Sequence, residues 1–297
     1  MSDDQIRQLA TKTTIFARVS PDQKALIIQT LKESGKTVGV TGDGVNDILA
    51  MKTSDCGIAM GEGSDAARSA ANIVLLDSNF ENMPAVVEEG RRVINNVQRS
   101  STVFVMKTIL VGLVTLISII LPISIGYPFI HQNLDGISMV VAGLGSFLLT
   151  MEPHSQKISG RFLRNIMRTA IPAGLFLSIA VGTPYLLSLW GLTYIPKTIA
   201  IIGMNVAALL VFWNICKPVN GYRFMSSMVV TLVGAVALIV PALIPGSESY
   251  FYIITASDVS NFTRFDVLMI TSAVLIAYEI YNIILNFISR FIRTSEK

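Results

Sequence analysis

Two cysteines in 297 residues, Cys56 and Cys216, are too few and too far apart for a disulfide framework or a CxxC metal site. Charge is scarce as well. Only 14% of the residues are charged, against about a quarter in an average soluble domain. The net charge of +3 is a modest excess carried by loops, so nucleic acid is not indicated as a partner. Met1-Ser2-Asp3-Asp4 is polar and acidic, which is not how a secretory signal begins. The charges that are present crowd into the first hundred residues, and apolar runs fill the rest. That asymmetry predicts a small cytosolic piece followed by a membrane domain.

Residues 1 to about 80 alternate helix and strand. Asp3–Thr11 reads as a short helix and Thr13–Arg18 as a strand. Ser20-Pro21-Asp22-Gln23 opens a further helix, with Ser20 as cap and Pro21 in its first position. That helix ends at Gly35. Strand 37–41, helix 45–53, strand 56–60, helix 64–71 and strand 72–77 follow. Repeated βα alternation predicts a parallel, Rossmann-like sheet. Eighty residues make about half of a doubly wound domain.

The most informative stretch is Thr41-Gly42-Asp43-Gly44-Val45-Asn46-Asp47. It leaves the carboxyl end of the apolar strand Thr37-Val38-Gly39-Val40, where open α/β sheets place their ligands. Its glycines let the backbone turn tightly and present N–H groups to an anion. Asp43 and Asp47 are hard oxygen ligands of the kind Mg²⁺ takes from proteins, one or two carboxylates completed by phosphate and water. An ordinary Asp/Gly turn is the plain alternative, but the flanking elements agree with the functional reading.

Residues 81 to about 125 read as one helix. Glu88 to Arg99 keep its first part in water, and Val103–Ile125 is apolar enough to cross a bilayer of about 30 Å. A stalk at 81–102 would therefore run rigidly into the membrane. Lys107 lies one turn inside the apolar run; snorkelling to the surface is preferred there over a role inside the bundle. Further spans are read at about 130–150, 171–190, 198–216, 224–244 and 265–288. With the soluble part inside, the internal loops hold most of the Lys and Arg, so six spans with both termini cytoplasmic are expected. Gly136, Gly143 and Gly145 interrupt the second span. They either free carbonyls for a cation or allow close helix packing. Asp135, Glu152 and Glu279 are the acidic residues read at or within the spans, and Asn205 and Asn214 are read as interhelical hydrogen-bonders.

The loop Thr41–Asp47 resembles the hinge motif of P-type cation-transporting ATPases, whose phosphorylation domain is of the haloacid-dehalogenase type. Arg18-Val19-Ser20-Pro21-Asp22-Gln23-Lys24 resembles the segment carrying that superfamily's essential lysine. Asp55–Met60, Gly63–Ala67, Val74–Asp77 and Glu89–Asn96 follow in the family's order, and Ser146–Pro153 is similar to the sixth span of a bacterial branch that includes calcium exporters. The resemblance implies an α/β haloacid-dehalogenase-like partial phosphorylation domain (1–80), a stalk helix (81–102) and an all-α bundle of six transmembrane helices (103–297). It implies an ATP-driven pump in a multi-pass plasma-membrane setting, moving Ca²⁺ or another cation, with ATP as substrate and Mg²⁺ as cofactor. Lys24 would neutralise the transferring phosphoryl group, Asp43 and Asp47 would serve Mg²⁺, the Thr41–Gly42 backbone would contact phosphoryl oxygens, and Asn46 would support the loop. Glu152, Asp135 and Glu279 are the candidates for the transported ion.

The sequence also departs from the family. Its Asp-Lys-Thr-Gly nucleophile motif is absent, as are the nucleotide-binding domain, the actuator domain and the first four spans. The resemblance therefore covers the carboxyl-terminal third or so of a pump. Ala142 and Gly145 stand where animal calcium pumps place a carboxylate and a proline, which leaves the ion's identity open. A non-catalytic membrane fragment, or a subunit of a split pump, is the alternative.

Overall fold

Ser2 and Ser20 each close a capping box. The Ser2 hydroxyl accepts from the Gln5 N–H while Gln5 accepts from the Ser2 N–H, and Ser20 and Gln23 repeat the exchange. These boxes start α1 (Asp3–Ala10) and α2 (Pro21–Glu33) in the computed structural model, which describes residues 2–120, 134–152, 156–157, 161–191, 193, 195–243 and 264–295. The chain divides into two compact units, Met1–Glu88 and Glu89–Lys297.

In the first unit, α1 and α2 bury Ile6, Ala10 and Ile27 together, with Phe16, Val19, Leu26 and Leu31 against them. The expected strand at Thr13–Arg18 does not form. Ile15 stands 83% exposed, and Arg18 takes a left-handed φ of 54°, which breaks any extended run before the Ser20 cap. Beyond α2 the alternation matches expectation. β1 (Gly39–Gly42), a 3₁₀ turn (Val45–Asp47), α3 (Ile48–Thr53), β2 (Cys56–Met60), α4 (Asp65–Ala70) and β3 (Ile73–Leu75) give a parallel sheet in the order β1-β2-β3. Gly39 pairs with Cys56, and Ile58 with Ile73. The crossover helices cover the sheet with small or flexible side chains: Ala50 and Met51 from α3, Ala67 from α4.

The amino end of the sheet is tied by Asp55. Its Oδ2 accepts from the Val38 N–H at 2.9 Å, and Lys32 Nζ lies 3.2 Å from Oδ1. The Val38 N–H, and then Lys32, hold the carboxyl below its ordinary value. A depressed carboxyl stabilises the fold above its unfolded pKa and loses that contribution as pH falls through the folded one. The melting temperature of the whole chain in detergent should therefore exceed that of Asp55→Asn at pH 6, with the gap shrinking below about pH 4. A gap independent of pH would contradict this.

The second unit is helical. α5 (Met83–Ile120) is a single helix of 38 residues, starting one position ahead of Pro84. Then come a π-helix (Gly136–Gly145), α6 (Ser146–Thr150), α7 (Phe162–Leu189), α8 (Pro196–Ile215), α9 (Gly221–Leu243) and α10 (Arg264–Ser295). Among the described residues five helices are long and apolar enough to cross a membrane, and Gly136–Thr150 is a shorter apolar one. The expected ends of spans at 121–125, 130–133 and 244 lie outside the described residues. Helices in lipid gain little from hydrophobic burial and associate through close packing. Ala173 and Ala180 of α7 and Ala200 and Ala207 of α8 are buried accordingly, and a Cβ on Gly203 of α8 would sit 3.4 Å from the Ala180 carbonyl of α7. Phe176 stacks on Tyr281 of α10 with ring centroids 5.5 Å apart. Outward, α9 and α10 expose Leu232, Leu275, Ile276 and Ile283, a display suited to lipid rather than water.

Candidate functional site

β1 ends at Gly42, which is buried, and the chain turns at once into the exposed Asp43. The 3₁₀ turn, closed by the Asp47 N–H on the Gly44 carbonyl at 3.1 Å, brings Asp47 back over the strand end. There Asp47 Oδ1 accepts from Lys24 Nζ at 2.7 Å. This contact joins two of the motifs read from the sequence, 23 residues apart. Gly42 is what lets the carboxylate lie so close: a Cβ on it would fall 2.4 Å from Asp47 Cβ and 2.9 Å from Asp47 Oδ2. The Asp43 carbonyl accepts from the Ser64 N–H at 2.8 Å, so the amino end of α4 buttresses the loop.

Chemically the result is a cation and two carboxylates at the carboxyl end of a parallel strand. Lys24 is held by Asp47, and both are part-exposed, so the pair contributes at most about 1 kcal/mol; its consequence is positional. Asp43 has no hydrogen-bond donor on its carboxylate among the described residues, leaving both oxygens open to a hard cation. Thr41 is half-buried in β1 opposite Ile58, and Asn46 is exposed on the turn. No group of three or more His, Cys, Asp or Glu side chains comes together among the described residues, so any metal here takes the rest of its shell from elsewhere.

In the helical unit the acidic candidates separate. Glu152, just beyond α6, is 2% exposed and fully engaged. Arg223 Nε contacts Oε1 at 2.7 Å and Oε2 at 2.9 Å, Arg99 Nη1 reaches Oε2 at 2.7 Å, and Asn220 donates to Oε1 at 2.9 Å. Three donors make four contacts on its two oxygens, so in this structure the carboxylate expected as a ligand of the transported ion is taken up by protein groups instead. Glu279 is exposed, on the same face of α10 as Ile276 and Ile283. Asp135 is half-buried at the start of the π-helix. Asp266, missed in the sequence, is 5% exposed in the first turn of α10 and accepts from Thr193 at 3.3 Å.

The interrupted second span does depart from the α-helix, over ten residues. π-Turns often mark functional positions. Lys107 does not snorkel. It donates to the Ser138 hydroxyl of the π-helix, and Ser138 in turn donates to the Leu134 carbonyl at 2.7 Å. Asn205 donates to the Ile201 carbonyl at 2.9 Å within its own helix, and its Oδ1 lies against Gly136.

Residues 24–83 match the haloacid dehalogenase-like hydrolase family model. Over 187 residues the chain is 42% identical to the probable cation-transporting ATPase exp7 of Streptococcus pneumoniae, covering 61% of this chain and 24% of the relative. It is 36% identical over 264 residues to the calcium-transporting ATPase CtpE of Mycobacterium bovis, covering 84% and 32%. With the human calcium-transporting ATPase type 2C member 1 it shares 32% over 184 residues, covering 62% and 20%. The chain thus spans about a fifth to a third of the length of the curated relatives it matches.

Proposed function

We infer, from this homology to P-type cation-transporting ATPases, that the chain is the carboxyl-terminal portion of a bacterial ATP-driven cation pump of the calcium-exporter branch. The single observation that carries the reading is the Lys24–Asp47 contact of 2.7 Å beside Asp43 at the end of β1. Phosphoryl transfer asks for positioned charge more than for covalent chemistry. The Lys24 ammonium, held by Asp47, neutralises an oxygen of the transferring phosphoryl group. The Thr41–Gly42 backbone presents N–H groups to its oxygens, and Asn46 supports the turn. Asp43 is the residue of this chain that holds Mg²⁺, which when bound supplies charge neutralisation at the phosphoryl group. Asp47, committed to Lys24, positions that lysine instead of serving as the second direct ligand.

The aspartate nucleophile, the nucleotide-binding and actuator domains and the first four spans belong to the remainder of the pump. The helical unit sits in the plasma membrane with the phosphorylation domain and both termini on the cytoplasmic side. The π-helix and its neighbours provide part of the path for Ca²⁺ or a similar cation. Glu152 is removed from that path by its arginines. Because the Asp-Lys-Thr-Gly motif is absent from the 297 residues, the purified chain incubated with labelled ATP and quenched in acid should carry no labelled band. A stable labelled band would overturn the assignment of the nucleophile to the remainder of the pump.

A further inference from the structure

A cavity of about 290 Å³ opens within the Glu89–Lys297 unit, among α5, α7, the end of α8 and α10. Its size is near the lower end of ligand pockets, which span roughly 300–1,000 Å³. Gln98, Arg99 and Thr102 of α5, Thr169 of α7, Asn214 of α8 and Lys217 just past α8 line it, with no carboxylate among the lining residues. Among the described residues Glu152 faces both Arg99 and Arg223, one carboxylate against two guanidinium groups, and Arg99 brings a positive charge to the cavity wall. Lys217 adds a second at the cavity wall and has no carboxylate within ion-pair distance among the described residues. Gln98 contributes a buried Nε2 donor that meets no acceptor among the described residues.

Two positive charges, an unanswered amide donor and polar walls without an acid ask for an anion with several acceptor oxygens. The depth of the cavity narrows its source. Gln98 and Arg99 precede the apolar run that starts at Val103, and Lys217 lies two residues beyond the end of α8. On the membrane reading proposed above, that is the level of lipid headgroups, where basic pockets between helices bind anionic lipid. We propose that this cavity binds a phosphate-bearing anion, the headgroup of an anionic phospholipid of the inner leaflet. Arg99 and Lys217 supply the charge and Gln98 the directional donor.

The whole chain, purified in detergent and stripped of lipid, tests this by native mass spectrometry. It would be titrated with phosphatidylglycerol, with phosphatidylcholine of the same chains, and with inorganic phosphate. Phosphatidylglycerol should bind in preference to phosphatidylcholine. Lys217→Glu, a change at an exposed position, should weaken that binding about tenfold, and Lys217→Arg should restore it. Phosphate binding that depends on Lys217 in the same way, with no lipid preference, keeps the anion site and assigns it a soluble source. Equal binding by the wild type and Lys217→Glu, or no discrimination between the two lipids and no phosphate binding, would overturn the site. Carbonate extraction of the expressed chain reports separately on the membrane reading, since an integral protein stays in the pellet whatever occupies the cavity.

Discussion

In a complete pump containing this segment, Asp43→Asn should reduce phosphoenzyme formation by about 10³-fold or more. The amide keeps the shape of the side chain but removes the anionic charge that a hard divalent ion requires, and electrostatic stabilisation is the main contribution to phosphoryl transfer. Asp55→Asn is the informative control. Both residues are aspartates on the same small sheet, but Asp55 precedes Cys56 at the amino end of β2 and bonds Val38, whereas Asp43 follows the carboxyl end of β1. Its effect should be a loss of stability with phosphorylation largely retained. Gly42→Ala belongs with the severe class, because its Cβ would meet Asp47 at 2.4 Å and push the carboxylate off Lys24. Phosphoenzyme measured from labelled ATP, at matched amounts of folded protein, separates the three. Equal labelling of Asp43→Asn and Asp55→Asn would show that the loop's roles are wrongly assigned.

The geometry of the loop after β1 was legible because it is set locally. Ser20, Pro21 and Gln23 fix where α2 starts, so Lys24 falls in its first turns, and the strand-to-loop change at Gly42 puts Asp43 at the end of β1. The bounds of β2 could be read residue for residue, since an apolar run between Asp55 and Gly61 has one way to cross a sheet. Where the reading failed, the deciding partner was distant in sequence. Thr13–Arg18 has the composition of a strand, but no neighbouring strand pairs with it and Arg18 turns left-handed. Lys107 carries no mark in the sequence of the hydroxyl of Ser138, 31 residues away. The acidic residues in the apolar half posed the same difficulty. Hydropathy says that a carboxylate there needs a partner, but not whether the partner is a metal, an arginine or lipid headgroups. Glu152 found Arg99 and Arg223, residues read as a water-facing stalk charge and a loop charge. Glu279 faces outward, because helical phase, fixed by Ala277 and Tyr281 packing inward, leaves it on the other side.

Glu152→Gln should therefore act on stability before it acts on transport. The substitution keeps an oxygen for Asn220 but removes the carboxylate that, among the described residues, answers two guanidinium groups, one of them, Arg223, 2% exposed. Leaving a buried charge without its partner costs about 3–5 kcal/mol. For a unit of about two hundred residues that is a fall in melting temperature of roughly 10 °C. Glu279→Gln, at an exposed position without a partner among the described residues, should change it by little, within about 0.5 kcal/mol. Replacing Arg223 and Glu152 together by apolar residues of similar volume should recover part of the loss, since the buried Arg223–Glu152 pair would then be absent while the more exposed Arg99 still lacks its carboxylate. Thermal unfolding of the three variants in detergent measures this, with the cation concentration for half-maximal phosphoenzyme in the intact pump as the second readout. A melting temperature unchanged in Glu152→Gln, together with a large rise in the cation required, would return Glu152 to the ion path and show that the arginines release it during transport.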